Sequence, residues 1–335
     1  YASADTTPNV NEGISTVEAN VAITDADTVD SNTCTLGGTD SGDFTCTVTA
    51  TTYTLAFAST PDYENPADGN TDNVYSVTVT INDGEQDGNT ITYTVTVDDQ
   101  NEFAPVFNDD DGDGESSTAT ATPNEGQTAV GTYAASDADP TDTITYSKSG
   151  GADQALFSVA NGGVLTFQNA PDYEAEICGG DNVCVVVLTA SDGDGDSADD
   201  TITVTVTVVD LNDESPVFSS DTSVTIAENT QNAMTLAASD ADAADASVTF
   251  TVSGGADQAL FEISGDTTLR FKTNSIPDYE SSTADGGGQD YVVIVTASDG
   301  ATPANTATRT VTVTISDANE AAPVFGDGDG DGESS

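Results

Sequence analysis

The tetrapeptide Pro-Asp-Tyr-Glu occurs three times, at residues 61–64, 171–174 and 277–280, and supplies the carboxylate pairs Asp62/Glu64, Asp172/Glu174 and Asp278/Glu280. Paired carboxylates support two chemistries. As acid and nucleophile or base they cleave glycosides; as hard oxygen donors they hold a divalent cation, calcium taking six to eight such oxygens. Three copies suit cation binding better, because a glycosidase needs one cleft and alternate residues of a strand point to opposite faces. The chain has no histidine, so no Ser-His or Cys-His nucleophile and no histidine-based metal site can be built. A lone Asp40-Ser41-Gly42 only faintly resembles an aspartic protease motif. The chain is read as a non-enzyme.

Charge points the same way. The net charge is −55, from 59 Asp and Glu against Lys148, Arg270, Lys272 and Arg309. A nucleic acid or an anionic membrane would be repelled, and no apolar run is long enough to span a bilayer. Acidic chains of this kind are often disordered. Here 36% of residues are hydrophobic, and many stand in strict alternation, which a solvated acidic tail does not show.

The carboxylates must be positioned by strands. Residues 90–97 (TITYTVTV), 201–208 (TITVTVTV) and 308–315 (TRTVTVTI) alternate small polar with apolar side chains. Ile91, Tyr93, Val95 and Val97 thereby share one face, as in a half-buried antiparallel strand. Short strands punctuated by Gly, Asp and Asn predict β-sandwiches, without a helix of any length. The period of about 100 to 110 residues divides the chain into three. The landmarks recur in order: SGGADQALF at 149–157 and again at 253–261, looser at 36–44; a strand ending in Phe57, Phe167 or Phe271; PDYE; a Val-rich strand; NDG or SDG; the Thr-Val strand; and the connectors DQNEFAPVF, DLNDESPVF and DANEAAPVF. The expected domains are 1–103, 104–214 with an acidic insertion at 108–117, and 215–320, followed by an acidic Gly-Asp connector at 321–335.

These landmarks resemble those of cadherin repeats over essentially the whole chain. The family's early Glu matches Glu12, Glu125 and Glu228. Its Asp-x-Asp matches Asp25/Asp27, Asp137/Asp139 and Asp240/Asp242. Its Asp-x-Glu matches the PDYE pairs, with Tyr where animal cadherins usually carry Arg, and its Asp-Gly matches Asp83, Asp192 and Asp299. The fold implied is all-β: three tandem Ig-like, cadherin-type antiparallel β-sandwiches.

The resemblance also implies calcium at each junction between repeats. Glu12, Asp62, Glu64, Asp99, Asn101 and Glu102 would meet Asp137, Asp139 and Asp192 at the first. Glu125, Asp172, Glu174, Asp210, Asn212 and Asp213 would meet Asp240, Asp242 and Asp299 at the second. A third half-set, Glu228, Asp278, Glu280, Asp317, Asn319 and Glu320, has no acceptor repeat after it, and Asp25, Asp27 and Asp83 have no donor before them. These halves are expected to meet head to tail, in a longer tandem protein or between copies of the chain. Glu102 and Glu320 stand where the family's linker has Asp, which shifts an oxygen. Asp109, Asp111 and Asp113 of the insertion begin like a calcium loop, but Thr120 stands where the closing Glu would be.

Cys34 and Cys46 flank one Gly-Gly loop and Cys178 and Cys184 another, a local pairing that predicts disulfides and an oxidising, extracellular or cell-surface location. The acidity and the scarcity of lysine suit a prokaryotic, saline, calcium-rich exterior. The function expected is a calcium-rigidified building block of an extracellular fibre, filament or surface matrix. The alternative is a calcium-dependent adhesin that binds another cell or a polysaccharide. The absence of Trp and the scarcity of aromatics favour the structural reading.

Overall fold

The computed structural model describes residues 4–24, 31–84, 87–108, 117–193, 199–242 and 247–320. Its regular structure is almost entirely strand, and the few helical turns are short.

The alternating runs become the inner strands of three similar four-stranded sheets. In the first, strand order is Asn9–Asn11, Asp87–Asp98, Val74–Asn82, Thr33–Gly37; in the second, Ser117–Ala121, Asp200–Thr207, Val183–Ser191, Thr145–Gly150; in the third, Ser223–Ala227, Thr306–Ser316, Asp290–Ser298, Thr249–Gly254. Each is accompanied by a three-stranded sheet: Thr16–Ala22, Thr52–Phe57, Phe44–Val48; Ala129–Thr132, Val164–Phe167, Phe157–Ala160; and Asn232–Thr235, Thr268–Phe271, Phe261–Ser264. Tyr93, Val95 and Val97 are buried while Thr residues between them are not, and the same holds for Val204, Val206 and Val208 and for Val311, Val313 and Ile315.

Aromatic rings fill each core in the same way. The phenylalanines that close the landmark strands stack in pairs, Phe44 on Phe57, Phe157 on Phe167 and Phe261 on Phe271, with centroids 4.3–4.6 Å apart. Tyr75 and Tyr291 meet these pairs edge-on, the geometry their ring quadrupoles favour. Cys184 occupies the corresponding register position in the second set, opposite Val206 as Tyr75 is opposite Val95.

One pairing departs from the antiparallel expectation. The first strand of each four-stranded sheet lies parallel to the last: Asn9–Asn11 on Asp87–Asp98, Ser117–Ala121 on Asp200–Thr207, Ser223–Ala227 on Thr306–Ser316. Parallel neighbours need a long connection between them, and here almost the whole repeat intervenes. All other strand pairs in the sheets are antiparallel among the described residues.

The chain forms two compact units. One comprises Tyr1–Ala121, Thr128–Asn169 and Val183–Thr207; the other comprises Thr122–Gln127, Ala170–Asn182 and Val208–Ser335. Cys34 and Cys46 form a disulfide between the strands Thr33–Gly37 and Phe44–Val48. Cys178 and Cys184 are likewise disulfide-bonded, and no cysteine is free among the described residues.

Candidate metal centres

The recurrent early glutamate is the organiser of each site. Glu12, Glu125 and Glu228 are 3–5% exposed. One carboxylate oxygen of each accepts the N–H of the PDYE tyrosine, from Tyr63, Tyr173 or Tyr279 at 2.7 Å. The other accepts a linker N–H, from Gln100 at 2.8 Å, Leu211 at 2.7 Å or Ala318 at 2.8 Å. A buried charge is thus balanced by two charge-assisted hydrogen bonds, and PDYE is tied to a connector that lies far from it in sequence. PDYE itself is a turn: Asp62, Asp172 and Asp278 accept the N–H three residues on, from Asn65, Ala175 and Ser281.

At the first centre, within the first unit, oxygens of Glu12, Asp62 and Glu64 lie within 4.8 Å of one another, and so do those of Glu64, Asp99 and Asp139. Glu64 therefore belongs to both groups. Both its oxygens, with Asp99 Oδ1, Asn101 Oδ1, Asp137 Oδ2, Asp139 Oδ1 and Asp142 Oδ2, are buried without a hydrogen-bond partner among the described residues. The remaining oxygens are oriented: Asp139 Oδ2 accepts the N–H groups of Glu102 and Phe103 at 3.0 and 2.8 Å, and Asp99 Oδ2 accepts the Thr141 hydroxyl at 2.7 Å. Burial, with the charges of Glu12, Asp99 and Asp139, pushes Glu64 up to about 7. Burial and neighbouring carboxylates also raise Glu102, Asp137 and Asp142, and Asp192 is among the charges acting on Asp137 and Asp142.

The second centre, within the second unit, repeats this arrangement with Glu125, Asp172 and Glu174 and with Glu174, Asp210 and Asp242. Glu174 Oε1, Asn212 Oδ1, Asp240 Oδ2 and Asp242 Oδ1 are buried without a hydrogen-bond partner among the described residues. Burial and the charges of Glu125, Asp210 and Asp242 lift Glu174 to about 7. Asp242 is raised by burial first, then by Asp240, Asp210 and Asp213. Asp299 behaves differently. It is buried, which alone would raise it, yet N–H groups of Asn305 and Ala301 and the Asn212 side chain hold it below the usual carboxylate range. The Asn212 side-chain amide also donates to the Pro303 carbonyl at 2.9 Å, and the Asn212 backbone carbonyl accepts from the Asn305 side-chain amide at 3.0 Å.

The third set is the most open. Glu228, Glu280 and Asp317 come together, but Glu280 and Asp317 are exposed. Asp278 makes the same turn bond through Oδ1 as Asp62 and Asp172 and is exposed, Asn319 is exposed, and Glu320 Oε2 accepts the Asn229 amide at 2.8 Å. Asp83 is half-buried just beyond the strand Val74–Asn82. Asp25, Asp27, Asp109, Asp111 and Asp113 lie outside the described residues.

The two buried centres fit a hard cation. Their donors are all oxygen, they combine carboxylates with an Asn amide, and their partnerless oxygens are the atoms a calcium ion would bind. Without positive charge, so many buried carboxylates raise one another's proton affinity.

Residues 222–316 match the family model described as the cadherin domain. The chain is a cadherin-like repeat protein. It is 28% identical over 208 residues to human Protocadherin Fat 1, a match covering 60% of the chain and 4% of that protein. It is 30% identical over 206 residues to mouse Cadherin EGF LAG seven-pass G-type receptor 1, covering 59% of the chain and 6% of that protein. This cadherin-like chain thus corresponds to less than a tenth of the length of either relative. The crystal structure of mouse Protocadherin-24 EC1-3 superposes with a TM-score of 0.58 at 20% identity, covering 94% of this chain and 98% of that one, which shows the shared fold.

Reading this cadherin-like sequence alone missed Asp142. It follows the Asp137/Asp139 pair by a Pro-Thr turn and was indistinguishable from a solvated turn residue. Its only signal was a third acid three positions after the pair, Asp137-Ala-Asp139-Pro-Thr-Asp142.

Proposed function

We propose that this chain is a calcium-rigidified structural block of an extracellular fibre, filament or surface matrix, with its repeats spanning 1–103, 104–214 and 215–320. The observation that carries this reading is the pair of buried centres in which Glu64 and Glu174 each join two carboxylate groups and present oxygens without a hydrogen-bond partner. Glu12, Asp62, Glu64, Asp99, Asn101, Asp137, Asp139 and Asp142 would hold calcium at the first centre, with Glu102 and Asp192 beside them. Glu125, Asp172, Glu174, Asp210, Asn212, Asp240 and Asp242 would hold it at the second, with Asp213 and Asp299 beside them. The cation would supply the positive charge that lets these carboxylates stay together ionised, and each junction would stiffen on binding. The Glu228, Glu280 and Asp317 cluster would be completed by a following repeat, either of a longer chain or of a neighbouring copy. Four disulfide-bonded cysteines support an oxidising location outside the cell. Among the described residues no helix is long and apolar enough to cross a membrane.

The test is small-angle scattering and electron microscopy of the full chain as calcium is added and then chelated. Calcium-dependent stiffening or end-to-end assembly, weakened by Asp172→Ala with Glu174→Ala, supports the reading. Scattering that is indifferent to calcium would remove it.

A further inference from the structure

Each PDYE tyrosine is held on both sides. Its N–H goes to the organising glutamate, and its carbonyl accepts a side-chain amide from a residue nine or ten positions later. Asn73 Nδ2 donates to the Tyr63 carbonyl at 2.8 Å, Asn182 Nδ2 to that of Tyr173 at 2.9 Å and Gln289 Nε2 to that of Tyr279 at 2.8 Å. The tyrosine stands between the two carboxylate residues of its turn, so the peptide groups that join it to Asp62 and Glu64, or to their counterparts, are both fixed. The same three residues reach a second ligand-bearing segment through their backbone. The carbonyls of Asn73, Asn182 and Gln289 accept the N–H groups of Val97, Val208 and Ile315 at 2.9 Å, and these precede Asp99, Asp210 and Asp317 by two positions.

The amide contact is reached from two backbone conformations. Asn73 and Asn182 stand in the left-handed region, with φ of 60° and 56°, where asparagine is tolerated better than most residues. Gln289 makes the bond from outside that region, with a side chain one methylene longer. Local backbone conformation therefore does not account for an amide in all three repeats; the bond to the tyrosine carbonyl is what they share. It is also kept at a cost. Asn73 and Asn182 are 8% and 5% exposed, and the amide oxygens of all three residues are buried without a hydrogen-bond partner among the described residues. An apolar side chain would avoid that desolvation penalty, so the donated N–H is what the position requires.

We infer that Asn73 and Asn182 are positioning residues for the two buried metal centres: each amide locks the PDYE turn, so that Glu64 stays with Asp99 and Glu174 with Asp210. Gln289 serves the Glu228, Glu280 and Asp317 cluster in the same way. The inference rests on the calcium reading of these centres.

The experiment is a calorimetric calcium titration of the full chain, with hydrogen exchange in chelator as a readout that needs no metal. Asn182→Gly suits the left-handed backbone, removes the amide and leaves the bond from the Val208 N–H to the carbonyl at position 182. It should weaken at least about tenfold the ions that Asp172→Ala/Glu174→Ala removes, the effect of losing a group that orients a metal ligand, and leave the other ions unchanged. Asn73→Gly should do the reverse. Each should speed exchange of the tyrosine N–H in its own turn, at Tyr173 or Tyr63, and not in the other. Asn182→Asp keeps the shape and an oxygen but loses the donor, and should weaken the same ions; affinity held or raised in this variant would make that oxygen a ligand and overturn the positioning role. Unchanged affinity in Asn182→Gly and Asn73→Gly overturns it as well, even where the unfolding midpoint falls. If Asp172→Ala/Glu174→Ala removes no ion, the calcium reading of the centre fails and this role fails with it.

Discussion

Glu64 and Asp139 bring carboxylate oxygens within 4.8 Å of each other, and both oxygens of Glu64 and Oδ1 of Asp139 are buried with no hydrogen-bond partner among the described residues. Like charges at that range repel, and the repulsion grows as water is excluded. The contact is tolerable only with a proton or a cation between the two groups.

Glu64→Gln should therefore act in opposite directions with and without calcium. In chelator it removes one repelling charge, so the melting temperature of the full chain should rise or hold. In calcium it removes a ligand charge shared by two groups, and affinity at the first centre should fall about tenfold or more, roughly 1.4 kcal/mol. Calcium titration followed by calorimetry of both states checks the crossover; a fall in both conditions would argue for a purely structural role.

Glu64 and Glu174, raised to about 7, make calcium binding compete with protons. Metal-free, the folded state holds these protons up to higher pH than the unfolded chain. Their contribution to stability is therefore greatest below the ordinary carboxylate range, declines as pH rises toward about 7, and stays low above it. Calcium displaces the protons, so affinity should drop as pH falls below about 7, by up to about tenfold per unit for each proton released. Titrations at pH 8, 7 and 6 test this, and affinity independent of pH across that range would contradict it.

Removing the organising glutamate should cost more than removing a ligand. Glu228→Ala strands the N–H groups of Tyr279 and Ala318, each bond to a charged acceptor being worth about 1.5 to 3 kcal/mol. Denaturant unfolding in chelator should show a loss of about 3 kcal/mol or more in the third repeat, while Glu280→Ala, at an exposed position, should leave the midpoint nearly unchanged.

The Cys34–Cys46 bridge closes a short loop, with a sequence separation of 12. Cys34→Ser/Cys46→Ser should destabilise the first repeat by about 2 to 3 kcal/mol without altering calcium binding at either junction. A change in ion count would instead tie this loop to the metal sites.

Much of this was legible in the sequence because it was written three times. Alternation at residues 90–97 placed Tyr93, Val95 and Val97 in the core, since period two admits no other arrangement on a half-buried sheet. PDYE pointed to a cation through residue type alone. Other features required three dimensions. Asp299 has the same sequence signature as a ligand, but its oxygens already receive the N–H groups of Ala301 and Asn305. The parallel pairing of each first strand was hidden because alternation fixes which face is buried, not which neighbour a strand chooses or in which direction.

That parallel pairing has a mechanical consequence. Where the first strand of a repeat runs alongside its last in the same direction, tension applied along the chain slides the two past each other, and the ladder resists as a whole instead of unzipping bond by bond. The ladder through Asn9–Asn11 is shorter than those through Ser117–Ala121 and Ser223–Ala227. Hydrogen bonds from the Thr94 and Thr96 N–H groups to the Thr6 and Pro8 carbonyls, and from the Glu12 N–H to the Asp98 carbonyl, lengthen that short seam, so the first repeat too meets tension along a bonded edge and not at a free end.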